Sequence, residues 1–582
     1  MLDFRDRGSV KKVIDDFSGR RKIVVTFIMV CMLVLVVRDI HLQVISKQFL
    51  KHQGDMRQVD EVAVSAYRGM IIDRNSEPLA ISTPVESIWI NPRELRYAKQ
   101  EGIRVMEKLL NLPDGKVMEW IKEEPRRQFL YIARRVNPQL GDDVKALKLE
   151  GVYFEREFKR YYPAGGVSAH IVGFTNVDDI GQAGMESGYE KQLKGTAGSK
   201  RVIRDGQRRI IDDVESINEP VSGKTLELSI DQRIQYLAYK ELQVAVEENN
   251  AKSGTLVVLD AKNGEILAAV NQPSFNPNTR NNLKESVYRN RAFTEVFEPG
   301  STVKPFVVAA ALDGGYIKPN SIFPTNGTLQ IGRNTVRDVH NYGTLDVTHV
   351  LTKSSNVGVS MMSLKMPPKY LWDTYHQLGF GVSAGAGFPG EASGRMKDYK
   401  RWHDFDRATM SFGYGLNSSA LQLARSYTAL ADDGLLHSVS LLKREEDNDV
   451  VRVFSAKTAR SVRKMMETVL TKEGTAYEAR VDGYSAAGKT GTVKKATARG
   501  YTESSYFAVF AGMAPVNDPR LIIVVMIDEP SAGKYYGGLV SAPVFSKVMA
   551  GALRILEVAP DQEETMPILL TQRKPFDVNE VK

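Results

Sequence analysis

The stretch Glu298-Pro299-Gly300-Ser301-Thr302-Val303-Lys304-Pro305-Phe306 carries a serine and a lysine at a spacing suited to nucleophilic chemistry. Pro299-Gly300 spells a turn and 306–312 is an apolar run, so Ser301 falls at or near a helix start, where Pro305 removes no needed donor. A spacing of three then sets Ser301 and Lys304 on one helix face. A serine hydroxyl attacks well only after a base takes its proton, and a lysine is a base only when neutral. From a reference pKa near 10.4 that requires a shift of about three units, or about 4 kcal/mol, which burial and a second cation must supply. Taken alone SxxK is weak, because Ser301 could be an N-cap and Lys304 an exposed helical lysine. Two further motifs change the weighting. Lys353-Ser354-Ser355-Asn356 is an SxN pattern, offering a hydroxyl to relay a proton and an amide to hold a peptide. Ala487-Gly488-Lys489-Thr490-Gly491-Thr492 brings a cation and two hydroxyls together on what reads as an edge strand, with Gly491 permitting close approach of a substrate backbone.

The run from Gly483 to Thr490 also fits the phosphate-binding pattern GxxxxGK[ST]. That pattern needs a buried strand before it and a helix after it; 478–482 is too polar for the strand, and 491–493 resumes β character. The elements that must position the three motifs read as an α/β (α+β) arrangement around a largely antiparallel sheet. Residues 255–259 and 265–270 form a hairpin around Asn263-Gly264, strands return at 506–513 and 521–527, and helices such as 419–431 are inserted between. A helix is expected over 231–241, with Ile234, Leu237 and Ala238 on one face. From about residue 60 to 225, short β-rich runs such as Met70-Ile71-Ile72 alternate with charged helical stretches. The polar, turn-prone stretch between Ile211 and Leu226 marks the boundary between the two halves.

A length of 582 residues suggests about three or four structural units. With 42% hydrophobic and 25% charged residues, wholesale disorder, collagen-like repeats and a polytopic membrane protein are excluded. A net charge of +8 with no basic patch gives no sign of nucleic-acid binding. One cysteine, Cys31, rules out disulfides, CxxC redox chemistry and a thiol nucleophile in the soluble part, and the eight histidines include no HExxH pair, so no metal site is expected. Residues 23–37 are apolar apart from Thr26, a run of about 22 Å against a hydrocarbon core of about 30 Å. Snorkelling of Arg20, Arg21, Lys22 and Arg38 closes the gap, and Arg38-Asp39-Ile40-His41-Leu42 lacks the small residues of a cleaved signal. An uncleaved anchor is therefore expected, with seven Lys and Arg in 1–22 against four in 38–57 placing the short tail in the cytosol.

In this order the three motifs make the serine–lysine acyl-transfer signature of penicillin-binding proteins and class A β-lactamases. From about residue 60 to 555 the sequence resembles the division-specific class B penicillin-binding proteins. Arg68-Gly69-Met70-Ile71-Ile72-Asp73-Arg74-Asn75, Arg160-Tyr161-Tyr162-Pro163-Ala164-Gly165, Gly184-Met185-Glu186, Tyr189-Glu190, Tyr414-Gly415-Leu416, Tyr535-Tyr536-Gly537-Gly538 and Val540-Ser541-Ala542-Pro543-Val544-Phe545 carry the likeness. The resemblance implies a cytoplasmic tail over 1–22, an anchor over 23–40, a dimerisation-type pedestal over 41–225, a transpeptidase domain over 226–556 built on a five-stranded sheet, and a tail over 557–582. It also implies an inner-membrane protein whose catalytic domain faces the periplasm at the division septum.

By the same resemblance Ser301 is the acylated nucleophile, Lys304 its base and Ser354 the proton relay, while Asn356 orients the donor peptide. Lys489 keeps Lys304 neutral, Thr490 and Thr492 bind the terminal carboxylate beside Gly491, and the backbone N–H groups of Ser301 and Thr492 form the oxyanion hole. Implied partners are D-Ala-D-Ala stem peptides with an amine acceptor, β-lactams, a SEDS-type glycosyltransferase and other divisome membrane proteins; no metal or organic cofactor is implied. Ser76 stands where the family usually has glycine, and Asn417-Ser418-Ser419-Ala420 is less typical after 412–415. Arg68, Asp73, Arg74 and Glu186 read as buried ion pairs that fix the interdomain angle. Two rivals use the same motifs: a hydrolytic β-lactamase or D,D-carboxypeptidase, and a catalytically idle divisome scaffold or penicillin-sensing receptor. The long pedestal and the anchor favour the transferase over the hydrolase, and the short cytosolic tail weakens the receptor.

Overall fold

The computed structural model describes residues 18–204, 210–279, 284–444, 450–497 and 500–562. Of the tails expected over 1–22 and 557–582, residues 1–17 and 563–582 lie outside them. The described chain forms two compact units: one takes in the chain up to Ala66 and returns for Thr196–Val221, and the other takes in Tyr67–Gly195 and the chain from Ser222 onward. Residues 41–225, expected as one pedestal, are thus shared between the two.

In the first unit, helix α1 (Ser18–Ile40) is continued by a π-helical turn at His41–Ile45. The apolar run is short, but the helix carries on through Arg20, Arg21, Lys22 and Arg38, and its 23 residues span about 35 Å. Gly19–Ile45 is long and apolar enough to cross a membrane. Its apolar side chains stand exposed, as lipid-facing side chains must. The unit's sheet is antiparallel, with Gly198–Arg204 between Val59–Val64 and Ile210–Asn218. The last strand occupies much of the 211–226 stretch read above as turn-prone. Its ladder supplies the backbone bonds that the polar residues hid, and the turn signals Asn218-Glu219-Pro220 end the strand.

The second unit begins with a sheet centred on the thirteen-residue strand Pro78–Ile90, which pairs antiparallel with Ile71–Ile72, Leu130–Val136 and Val152–Tyr161. Ile88, Ile90 and Ile132 point into a small core with Leu95, Ile103, Met106, Val117 and Ile121. Leu226–Glu227 pairs parallel with Ile71–Ile72, and Ile71, Leu79, Met185 and Leu226 share one continuous core with Phe306 and Tyr427. Glu186, fully buried, is gripped by Arg68 Nε at 2.7 Å and Arg160 Nε at 2.6 Å. Arg74 meets Glu265 at 3.3 Å. Asp73 differs from the expected ion pair: it accepts the backbone N–H groups of Asn75, Glu77 and Gln232 at 2.7, 2.8 and 3.0 Å, a loop and helix-start cap. Ser76 sits at φ +67°, a left-handed position that glycine occupies without strain.

The central sheet has strands β1 (Ser253–Asp260), β2 (Ile266–Gln272), β3 (Ala487–Thr497), β4 (Gly500–Ala514) and β5 (Leu521–Asp528) in the order β2-β1-β5-β4-β3, all antiparallel. Both faces are buried, and alternate residues of β1 and β4 divide between two cores: Val257, Leu259, Val509 and Ala511 on one side, Leu256, Val258, Ala508 and Phe510 on the other. Helix α2 (Gln232–Glu248) and helix α6 (Ala542–Ile555) cover the second face with Leu242, Phe545 and Met549. Asp231 caps α2, which outruns the expected 231–241 because Leu242 and Ala245 extend the face of Ile234 and Ala238. Helix α3 (Lys304–Asp313) and helix α5 (Ala420–Ala431) join the first core through Phe306 and Tyr427; Ser419, with Gln422, forms a capping box at the start of α5. Strand β3 is left at the sheet edge.

Candidate active site

A 3-10 turn over Gly300–Val303 leads into α3, so Ser301 sits half-buried one turn ahead of Lys304, the first α-helical residue. The turn is fitted closely to its neighbours. Gly300 has φ +57°, and a Cβ there would stand 2.4 Å from Val493 Cγ2 on β3; Gly413, at φ +83°, has no room for a Cβ, which would lie 2.2 Å from Gly300 O. A Cβ on Gly491 would stand 3.0 Å from Thr302 Cγ2 and 3.2 Å from Pro299 O, so β3 packs directly on the nucleophile turn.

Lys304 is fully buried. Its nitrogen lies within hydrogen-bond reach of Ser354 O at 2.5 Å, Asn356 Oδ1 at 2.8 Å and Ser354 Oγ at 3.2 Å. Among the described residues none of its hydrogen bonds runs to Ser301 Oγ, so the SxxK lysine is joined to the SxN motif more closely than to its own serine. Ser354 adopts φ +56°, a strained conformation held by its surroundings. Ser355 caps helix α4 (Asn356–Lys365), accepting the Gly358 N–H at 2.8 Å.

Asp338 is the support that the sequence did not reveal. Its carboxylate accepts the Ser355 hydroxyl at 2.6 Å and the backbone N–H groups of Asn356 and Val357 at 2.5 and 3.0 Å. It thus places a negative charge at the start of α4 and fixes the SxN turn. It follows the short strand Asn334–Arg337 as a lone aspartate with no pattern around it.

On β3, Lys489 is fully buried and its amine lies 3.2 Å from Thr490 O and 3.3 Å from Thr490 Oγ1. Thr490 Oγ1 is paired with Thr475 Oγ1 at 2.8 Å, and Thr492 Oγ1 accepts the Gly537 N–H at 3.1 Å. Thr475 is a second residue that carried no signal, since it lies in a loop far from β3 in sequence. Burial brings the Lys489 pKa down to about 7. Burial also lowers Lys304 well below the ordinary lysine range, the Lys489 charge lowers it further, and Asp338 opposes both. The arrangement therefore presents a serine at a helix start, an amine whose protonation burial disfavours, a hydroxyl bonded to that amine, and a strand edge bearing two more hydroxyls. It is suited to acyl transfer on an extended peptide. The decoy phosphate-binding reading fails on the same geometry, since Lys489 lies inside a strand and no helix follows it.

Such a fold and site define the serine–lysine penicillin-interacting transpeptidases. Residues 254–550 match the family described as the penicillin binding protein transpeptidase domain, and 63–228 match the penicillin-binding protein dimerisation domain. The chain belongs to this family. It is 43% identical over 558 residues to the probable peptidoglycan D,D-transpeptidase PenA of Neisseria meningitidis, covering 95% of this chain and 96% of that one. It is 44% identical over 524 residues to the peptidoglycan D,D-transpeptidase FtsI of Escherichia coli, covering 89% of each. Among solved structures, the apo transpeptidase domain of Burkholderia pseudomallei penicillin-binding protein 3 aligns with a TM-score of 0.54 at 43% identity, covering 58% of this chain and 98% of that one.

Proposed function

We propose that this chain is a peptidoglycan D,D-transpeptidase of the penicillin-binding protein 3 type, and that Ser301 is its nucleophile. The burial of Lys304 against Ser354 and Asn356, beside a second buried amine, is the observation that carries the reading. Neutral Lys304 takes the Ser301 proton as Oγ bonds to the penultimate D-alanyl carbonyl carbon. The backbone N–H groups of Ser301 and Thr492 hold the developing oxyanion, where one such donor is worth about 10²–10³ in rate. The carbon–nitrogen bond to the terminal D-alanine then breaks, and Ser354 passes the proton to the leaving nitrogen. An amine of a neighbouring stem attacks the acyl-enzyme, gives up a proton along the same path, and releases Ser301 with a new amide crosslink. Asn356 orients the donor backbone, Gly491 lets it approach β3, and Thr490 and Thr492 receive its carboxylate. Lys489 lends positive field and disfavours protonation of Lys304.

β-Lactams present a strained amide to the same hydroxyl and acylate it. The decisive test is labelling with a fluorescent penicillin: the wild-type chain takes a covalent label and Ser301→Ala takes none. A labelled Ser301→Ala chain refutes the assignment. The anchor-like helix supports a single-pass inner-membrane protein with its catalytic unit in the periplasm, and the likeness to FtsI supports a place at the division septum with a SEDS-type glycosyltransferase and other divisome membrane proteins. Imaging of the tagged chain in growing cells tests that placement, and a uniform distribution over the envelope refutes it.

A further inference from the structure

We propose that Glu298 is a positioning residue that ties the β3–β4 hairpin to the nucleophile turn. Residues 297–300 run beside 413–418: Phe297 and Ser418 exchange two backbone hydrogen bonds of 3.0 Å, and the Gly300 N–H reaches Gly413 O at 3.3 Å. Between those points the Glu298 side chain closes the pairing, with Oε1 accepting the Gly415 N–H at 2.8 Å. The same oxygen accepts the hydroxyl of Tyr501, on β4, at 3.1 Å. The Tyr501 ring in turn meets Tyr414 edge-on at 5.4 Å. One carboxylate oxygen therefore gathers the nucleophile turn, the Gly413–Gly415 loop and the hairpin.

The other oxygen, Oε2, is buried and has no hydrogen-bond partner among the described residues, so this hold rests on Oε1. Burial raises the Tyr501 pKa and the Glu298 charge raises it further, so the hydroxyl remains a donor at neutral pH. The hairpin carries Thr492, whose N–H faces the oxyanion in the reaction proposed above. With Gly300 against Val493 and Gly413 against Gly300, there is little slack elsewhere in this contact. The Glu298–Tyr501 bond accordingly sets the separation between Ser301 and the strand that receives the acyl carbonyl.

This inference rests on acylation at Ser301. Its test uses the full chain in detergent, with a fluorescent penicillin at varied concentration to separate the limiting acylation rate from the affinity of the first, non-covalent complex. Glu298→Ala is expected to lower the limiting rate by about ten- to a hundredfold while affinity stays within about threefold. Glu298→Gln keeps a carbonyl acceptor and is expected to restore most of the rate. Tyr501→Phe is expected to slow acylation, and the Glu298→Ala/Tyr501→Phe pair to be no slower than Glu298→Ala alone, because the bond that Tyr501→Phe removes is already lost in Glu298→Ala. Should Glu298→Ala not fold, the half-exposed Tyr501→Phe carries the test. A wild-type rate in Glu298→Ala, a Gln variant as slow as the Ala variant, or additive losses in the pair each overturn the positioning role. A wild-type chain that takes no label refutes the functional reading instead.

Discussion

Replacing Asp338 by asparagine separates two effects that act in opposite directions on the same rate. The carboxylate accepts three hydrogen bonds, from the Ser355 hydroxyl and from the Asn356 and Val357 N–H groups. An amide retains one carbonyl acceptor, but its NH₂ replaces the oxygen that Ser355 donates to, and all three bonds lose their charge. At about 0.5–1.5 kcal/mol each this removes about 2–4 kcal/mol from the support of the SxN turn. That turn holds Ser354 at φ +56°, which relaxes without support. If the loss is felt in the transition state, Asp338→Asn acylates about 30- to 1,000-fold more slowly. Electrostatics alone argues the reverse: Asp338 raises the Lys304 pKa, so removing it leaves more neutral amine. The assay is the second-order acylation rate with a fluorescent penicillin across pH, alongside a thermal unfolding curve. A rate equal to or above that of the wild type at every pH refutes the positioning argument. A slower rate whose acid limb has moved to lower pH supports it.

Lys489→Met bears on stability and on the base together. Burial brings the folded pKa of Lys489 to about 7 from an ordinary lysine value of about 10.5, so the unfolded chain binds the extra proton between those values. Wild-type stability from this group therefore rises with pH across that window, and the methionine variant is more stable at pH 7 by up to about 5 kcal/mol, an advantage that disappears above pH 10.5. Its acylation limb on the acid side moves up in pH, because the second cation no longer holds Lys304 down; an unmoved limb in the rate profile refutes that coupling. Gly413→Ala places a Cβ 2.2 Å from Gly300 O in a left-handed residue, and is expected to lower the unfolding temperature and abolish labelling, measured on the same sample. Thr475→Val removes the partner of Thr490 and is expected to weaken binding of carboxylate-bearing peptides several-fold in a competition assay, by about 1 kcal/mol. Glu186→Gln removes the carboxylate that Arg160 and Arg68 share, leaving Arg68 with Glu190 at 2.8 Å, and costs about 3–5 kcal/mol in unfolding, with the acylation rate of the folded fraction unchanged.

The sequence showed the three motifs because each is a contiguous run whose spacing survives translation into a helix turn or a strand. The sheet was legible through its hairpin at Asn263-Gly264 and the apolar β5, and the inserted helix over 419–431 through its apolar pattern. The supports were not legible, since Asp338, Thr475 and Tyr501 meet the motifs through tertiary contacts that leave no local pattern. Asp73 shows the converse: its charged neighbourhood suggested an ion pair, while it accepts backbone N–H groups that sequence does not reveal. The strand over Ile210–Asn218 was hidden because Asp212, Asp213 and Glu215 interrupt its apolar residues and its evidence is a ladder partner.

Among the described residues strand β3 has a neighbouring strand on one side only. An unpaired edge of this kind ordinarily invites association with any extended chain, including another copy. Here the turn that bears Ser301 packs directly on Gly491 and Val493, which narrows access to that edge. On the function proposed above, a bound peptide would add a temporary sixth strand, its register set by backbone bonds and its terminal carboxylate received by Thr490 and Thr492. Inhibitors that keep the strand geometry but lack a strained ring should therefore still compete for the edge.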